Sequence, residues 1–273
     1  MQNIEEIYSA VTKRAYLERK EFDPGPEIDN EADALFTSEE ILEQLNRNAD
    51  GDTFIYIELH RDFLAYDCAA GRWYKWGGNY WIEDLTGEAV QAVNAVVDVY
   101  AQESKRQACL RTKAAKDLDR EAETSHRDNE AAIIKRIKLL QTLQRKQEIV
   151  FLSRSGAGTL AIIGDEWDKH PWLFAASNGI LDLKTGNFRP GEPCDYIKTA
   201  SPTEWKGLDE PCPTWENFIS EIFGNNVLLA EYMQRLLGYG ITGLAIHHLF
   251  IILFGAGRNG KGTLLETIRA VLG

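Results

Sequence analysis

The feature that most restricts this chain lies near its far end. Gly255-Ala256-Gly257-Arg258-Asn259-Gly260-Lys261-Gly262-Thr263 carries the spacing Gly-x-x-x-x-Gly-Lys, and it stands between two patterns of different period. Before it, His248-Leu249-Phe250-Ile251-Ile252-Leu253-Phe254 is an almost continuous apolar run, the composition of a strand buried on both faces of a parallel sheet. After it, Leu264, Leu265, Ile268 and Val271 repeat at helical spacing. Strand, glycine loop and helix in that order are the context of a phosphate cradle. Glycines let successive backbone N–H groups turn inward around phosphate oxygens, and the helix adds the positive end of its dipole.

The candidate nucleotide-binding residues are therefore Gly255, Ala256, Gly257, Arg258, Asn259, Gly260, Lys261, Gly262 and Thr263. Lys261 is the candidate catalytic residue, as the cation that reaches the β- and γ-phosphates. ATP with Mg²⁺ is the expected ligand. One position departs from the usual pattern: where Ser or Thr follows the lysine to reach Mg²⁺, this chain has Gly262. Thr263 comes one place late, about 100° around the helix from that slot, and is the candidate for the metal.

Length and charge bound the rest. The chain has 273 residues, room for one large domain or two ordinary ones. It contains no apolar run near the roughly 18 residues that a membrane span needs. Glu5 and Glu6 stand where a signal peptide would carry basic residues, so a cytoplasmic location is expected by default. Cys68, Cys109, Cys194 and Cys212 are widely spaced and form no C-x-x-C pair, which argues against zinc and against a disulfide framework. Reduced cysteines are expected, with a Cys194–Cys212 pairing as the alternative. Net charge is −12, yet residues 101–148 hold 12 Lys/Arg against 8 Asp/Glu. A contact with DNA would have to be local.

Along the chain, residues 1–33 read as a short helix and a linker holding Asp23-Pro24-Gly25-Pro26. Thr37-Ser38-Glu39-Glu40 has capping-box spacing ahead of Ile41 and Leu42. Thr53 to Leu59 alternates like a strand, with Asp62 to Tyr66 as its return, and Arg72 to Trp76 with Tyr80 to Ile82 as a further hairpin. Two long helices are expected next, one from Glu88 and one from Ser125, where Ser125-x-x-Asp128 offers a cap. The charged stretch from Lys113 to Asn129 reads as a solvated helix or a mobile connection. Ile180 to Leu183 reads as a strand between the turns at Asn178-Gly179 and Lys184 to Asn187. Pro213 opens a helix with the stripe Trp215, Phe218, Ile222 and Phe223, and a second helix from Leu228 is expected to stop at Gly238-Tyr239-Gly240.

Other candidates carry plainer readings beside the functional ones. Arg72-Trp73-Tyr74-Lys75-Trp76 offers rings for stacking single-stranded bases. Alternation leaves at most one face free, so a hairpin core is favoured. Lys135, Arg136, Lys138, Arg145 and Lys146 suit phosphate contacts or a solvated helix face. Glu58, Asp62 and Asp67 form no recognisable catalytic pair, and no ligand stands at metal spacing from His247-His248.

Three stretches resemble one family. The loop with Asn259 before Gly260-Lys261 resembles that of superfamily 3 helicases. Pro171-Trp172-Leu173-Phe174, with Ser177-Asn178-Gly179-Ile180-Leu181-Asp182-Leu183-Lys184-Thr185-Gly186, resembles the signature of the domain preceding that helicase. Cys212-Pro213-Thr214-Trp215 and Phe218, leading to Leu236-Leu237-Gly238-Tyr239, resemble its helical lead-in. Together they are similar to phage, plasmid and poxvirus primase–helicases. The resemblance implies a ring-forming AAA+ motor on single-stranded or forked DNA, with ATP between subunits and a primase as a further partner. It also implies an α+β architecture. Residues 34–205 would form an accessory domain with a small antiparallel meander and long helices, 206–245 a helical collar, and 246–273 the start of a truncated α/β P-loop domain. The leading residues are too few for a primase domain. The family's second acidic motif, sensor and arginine finger lie downstream of such a loop. The expectation is therefore a fragment or truncated product that alone neither hydrolyses ATP efficiently nor unwinds DNA. Two other classes stay open: a P-loop nucleotide kinase, whose loop Gly-Lys-Gly-Thr also resembles, and a non-enzymatic replication adaptor or oligomerisation module.

Overall fold

The computed structural model describes residues 35–244, 246–247, 250–255, 257 and 259–273. The helix and linker expected over residues 1–33 lie outside them. The chain is mixed α+β and divides into two compact units, residues 35–74 with 83–162, and residues 75–82 with 163–273. No helix among the described residues is long and apolar enough to cross a membrane. All four cysteines are free and exposed.

The first unit is mostly helical. Helix α1 (Ser38–Asn46) starts where the sequence predicts. The Thr37 hydroxyl accepts from the Glu40 amide at 3.2 Å, and the Glu40 carboxylate accepts from the Thr37 amide at 2.8 Å, a complete capping box. Helix α2 (Ala49–His60) overturns an expectation, because Thr53 to Leu59 is not a strand. Asp52, Ile55, Tyr56 and His60 are all buried at helical spacing, and burial extends to Gly51, Thr53 and Ile57, so little of the helix faces water. Its β-branched and aromatic residues cost a few tenths of a kcal/mol each in a helix. Burying one such side chain returns about 1.5–3 kcal/mol, so packing wins over propensity. Gly51 permits the approach to α1, since a Cβ there would stand 1.9 Å from the Gln44 carbonyl oxygen.

Strands β1 (Leu64–Asp67), β2 (Arg72–Trp76) and β3 (Trp81–Glu83) follow, then helices α3 (Glu88–Gln91), α4 (Val93–Lys116), α5 (Arg120–Leu140) and α6 (Leu143–Leu152), and strand β4 (Ala161–Ile162). The sheet order is β3-β2-β1-β4, with β4 parallel to β1 in the register Tyr66↔Ala161, so it is not a pure meander. Helix α5 begins five residues before the expected Ser125. Leu118 takes the left-handed region at φ 58°, reversing the chain, and the Asp119 side chain caps the Ala122 amide at 3.0 Å. The charged stretch is thus the two ends of a helical hairpin.

Asp52, fully buried on α2, organises this unit. Its Oδ1 accepts from Arg136 at 2.8 Å and Tyr100 at 2.9 Å, and its Oδ2 accepts from Arg145 at 2.7 and 3.0 Å. Arg136 also donates to the Leu45 and Asn48 carbonyls, and Arg145 to Glu148. Burial and the neighbouring Asp52 charge push the Tyr100 hydroxyl well above its ordinary range, so it remains a donor. Burial opposes the charge on Arg145, but its hydrogen bonds to Glu148 and Asp52 prevail and raise its pKa. Arg136 and Arg145 are therefore ligands of a buried carboxylate and do not form an outward phosphate-binding face. Lys146 donates to Asn94 at 2.7 Å, while Lys135 and Lys138 are exposed.

In the second unit, β5 (Leu173–Ala176), β6 (Gly179–Asp182) and β7 (Phe188–Arg189) form an antiparallel sheet over Ala175, Ile180 and Ile197. The signature residues of this region turn out to be structural. A Cβ on Gly179 would lie 2.6 Å from the Arg189 carbonyl oxygen, and Asn178 exchanges two hydrogen bonds with the Trp205 backbone. Asp182 accepts from the Lys184 amide at 2.8 Å, closing the predicted turn. Trp81 is buried among Trp76, Trp167 and Tyr196, and its indole donates to the Pro193 carbonyl at 3.0 Å. Helix α7 (Pro213–Ile222) starts at the expected proline. Helix α8 (Val227–Ile241) runs through Gly238 and Gly240 instead of stopping there, because an interior glycine costs only about 1 kcal/mol. The turn that ends it is Thr242-Gly243, with Gly243 left-handed at φ 65°.

Candidate nucleotide-binding loop

The glycine loop leads into helix α9 (Lys261–Leu272). Gly260 supplies its N-cap in the left-handed region at φ 79°, which costs a non-glycine residue about 1–2 kcal/mol. A side chain there would also collide with α7, since a Cβ would stand 2.5 Å from Ile222 Cγ2 and 3.2 Å from Phe218. The Leu264 amide returns to the Gly260 carbonyl at 2.9 Å, and the buried Leu264 side chain anchors the first turn. The amides of residues 261–263 precede the first intrahelical bond, so they lack helical acceptors and point out of the helix start.

The Lys261 ammonium folds back over the loop. It donates to the Gly255 carbonyl at 3.0 Å and to Asn259 Oδ1 at 2.7 Å, closing the Gly-x-x-x-x-Gly-Lys segment into a ring. Asn259 also lies across Gly255, where a Cβ would be 2.1 Å from its Nδ2. Gly257 and Gly262 face open space. The structure thus gathers Gly255, Asn259, Gly260 and Lys261, and leaves Gly257, Gly262 and Thr263 accessible. Ala256 and Arg258 lie outside the described residues. Thr263 is exposed, with its carbonyl accepting from Thr267 Oγ1 at 2.8 Å. Among the described residues no group of three or more His, Cys, Asp or Glu is assembled for a metal ion.

The strand expected before the loop is a correction. Residues 250–254 are not in a strand, and Phe250 and Phe254 are 90% and 95% exposed. A strand exists through ladder hydrogen bonds to a neighbour, and no described strand runs beside this run. Leu249 and His248 lie outside the described residues.

The remaining candidates resolve as scaffold. Tyr74 is buried, Trp73 packs against the first unit's core, and Arg72 makes a two-oxygen contact with Glu83 at 2.8 and 2.9 Å, so the hairpin cluster is mainly core. Glu58 pairs with Arg61, and buried Asp67 caps the Ala70 amide. Sequence reading missed Arg154, whose guanidinium carbon lies 4.5 Å above the Tyr66 ring. No local pattern joins two positions so far apart.

Comparison with known proteins places the chain. The sequence model of a family described as D5 N terminal like matches residues 53–224, ending before the glycine loop. An Acanthamoeba polyphaga mimivirus protein named "Putative helicase L207/L206" is 28% identical over 226 residues, covering 80% of this chain. The chain spans 23% of that relative's length. With more than half of its residues matched, the protein belongs to the D5 N terminal like family, of the primase–helicase type that its sequence resembles.

Proposed function

We propose that the loop from Gly255 to Thr263 binds the polyphosphate of ATP, and that in the longer protein it serves a DNA helicase at a replication site. The observation that carries this reading is the position of Lys261. Its ammonium stands at the start of α9, where it donates to the Gly255 carbonyl and to Asn259 Oδ1. Charge-assisted bonds to phosphate are roughly twice as strong as neutral ones, so a triphosphate would draw Lys261 away from Gly255 and Asn259. Backbone amides of Gly257 and residues 260–263 would then surround the phosphate oxygens, and Gly260 would keep the helix start clear of side chains.

Bound Mg²⁺ would neutralise phosphate charge. The chain offers it the Thr263 hydroxyl, and its remaining ligands would be phosphate oxygens and water. Family membership and the mimivirus relative's name support DNA, single-stranded or forked, as the substrate. A homo-oligomeric ring and a primase partner belong to the same reading, with a cytoplasmic replication site as its setting.

Titration of the chain with a fluorescent ATP analogue tests the loop. Saturable binding is expected, displaced by ATP better than by AMP and weakened at least tenfold by Lys261→Ala. Unchanged affinity in that variant, or no saturable binding, overturns the proposal. AMP competing as well as ATP also overturns it, and phosphoryl transfer to a nucleoside monophosphate with turnover would favour the nucleotide-kinase reading.

A further inference from the structure

In the first unit, a row of rings holds a cation that no carboxylate among the described residues pairs with. Tyr66 on β1 and Trp73 on β2 are neighbours across the sheet, with ring centroids 5.2 Å apart. Arg154, just past the end of α6, lays its guanidinium 4.5 Å from the Tyr66 centroid and 5.4 Å from that of Phe151. Phe151 leaves 58% of its surface in solvent. Among the described residues Arg154 makes no hydrogen bond or ion pair, although a guanidinium carries five N–H donors. Arg136 and Arg145 of the same unit each have carboxylate partners. Stacking fixes the plane of Arg154 and leaves its donor edge for an outside anion.

We propose that Tyr66, Trp73, Phe151 and Arg154 form a docking surface for single-stranded nucleic acid. The exposed Phe151 ring, with the half-buried Tyr66 and Trp73 rings in the same row, suits unpaired bases, whose stacking is tolerant of sequence. The donor fork of a guanidinium matches the two oxygens of a phosphodiester. Charge alone does not identify an acidic peptide here, because a polyanion without bases would leave the rings unused. The surface stands on residues remote in sequence from the glycine loop and needs no nucleotide.

The test is a fluorescence anisotropy titration of the whole chain with labelled oligodeoxythymidine, without ATP. Saturable binding is expected. Phe151→Ala should weaken it by about tenfold, the order for one lost stacked base. Arg154→Glu should weaken it more. Arg154→Ala should reduce the slope of log affinity against log salt by about 0.7, the value for one phosphate contact on a single strand. Arg154→Lys should keep that slope and lose part of the affinity. Circular dichroism should show each variant folded, and photocrosslinking of an iodouracil oligonucleotide to peptides bearing these four residues gives a readout that needs no variant. The proposal is overturned by absent binding, by variants that bind like the original chain, by crosslinks elsewhere, or by polyglutamate competing as well as the oligonucleotide. Since no ATP is present, failure here leaves the loop reading intact, and loss of the loop reading leaves this surface intact.

Discussion

The arginines of a basic helical stretch, Arg136 and Arg145, and the lysine of the glycine loop, Lys261, each suggest an anion site in sequence and behave oppositely in structure. Arg136 and Arg145 stand in a basic stretch and suggest an outward electrostatic face. Both are turned inward and consumed by Asp52, with side chains 10% and 7% exposed. Lys261 is held by a backbone carbonyl and a neutral amide at the start of a helix. The first arrangement fixes charges permanently because desolvated ions tolerate no loss of a partner. The second leaves an ammonium that a stronger anion can take. A local excess of positive charge does not by itself mark a binding face; what the charge already touches decides.

The widest separation between the two groups should appear on removing Asp52. Asp52→Asn leaves two buried guanidinium groups without their shared charge, and a loss of about 3–5 kcal/mol is expected in urea unfolding. A loss below about 1 kcal/mol would erase the distinction between the buried arginines and Lys261.

A slightly smaller effect should come from acid. Burial pushes His60 down from 6.5 to about 4, against the opposing hydrogen bond with the Ala92 carbonyl. Between those values the unfolded chain takes up a proton that the folded chain refuses, so stability falls as pH drops and is flat above about 7. The full loss by pH 4 is about 3 kcal/mol. Urea midpoints collected from pH 7.5 to 4 check it, and His60→Gln should flatten the curve over this window.

Thr37→Ala removes one half of the capping box, and about 1 kcal/mol of thermal or urea stability should go with it. Smallest of all, Lys261→Ala should change stability by less than about 0.5 kcal/mol while reducing nucleotide binding, because its interactions are exposed. A large destabilisation by that change would make Lys261 a structural residue like Arg145.

How much of this was legible in the sequence depended on the range of the interactions involved. The Thr37 box, the Asp182 turn and the start of α7 at Pro213 are set within a few residues, and each appears where its pattern places it. The helix over Thr53 to Leu59 did not, because it is apolar on most sides and its buried surround overrides both period and propensity. The end of α8 was misplaced for a related reason, since glycine weakens a helix without ending it. Partners of Asp52 lie 84 and 93 residues away, beyond any local signal. For the candidate site, the helix after the loop was readable, and the ring closed by Asn259 and Lys261 was not.

One consequence follows from the shared carboxylate. Helices α2, α4, α5 and α6 each contribute a group to Asp52 or carry it, so none can peel away without stranding ions in an apolar interior. Amide hydrogens in all four should exchange with solvent deuterium through a single concerted opening.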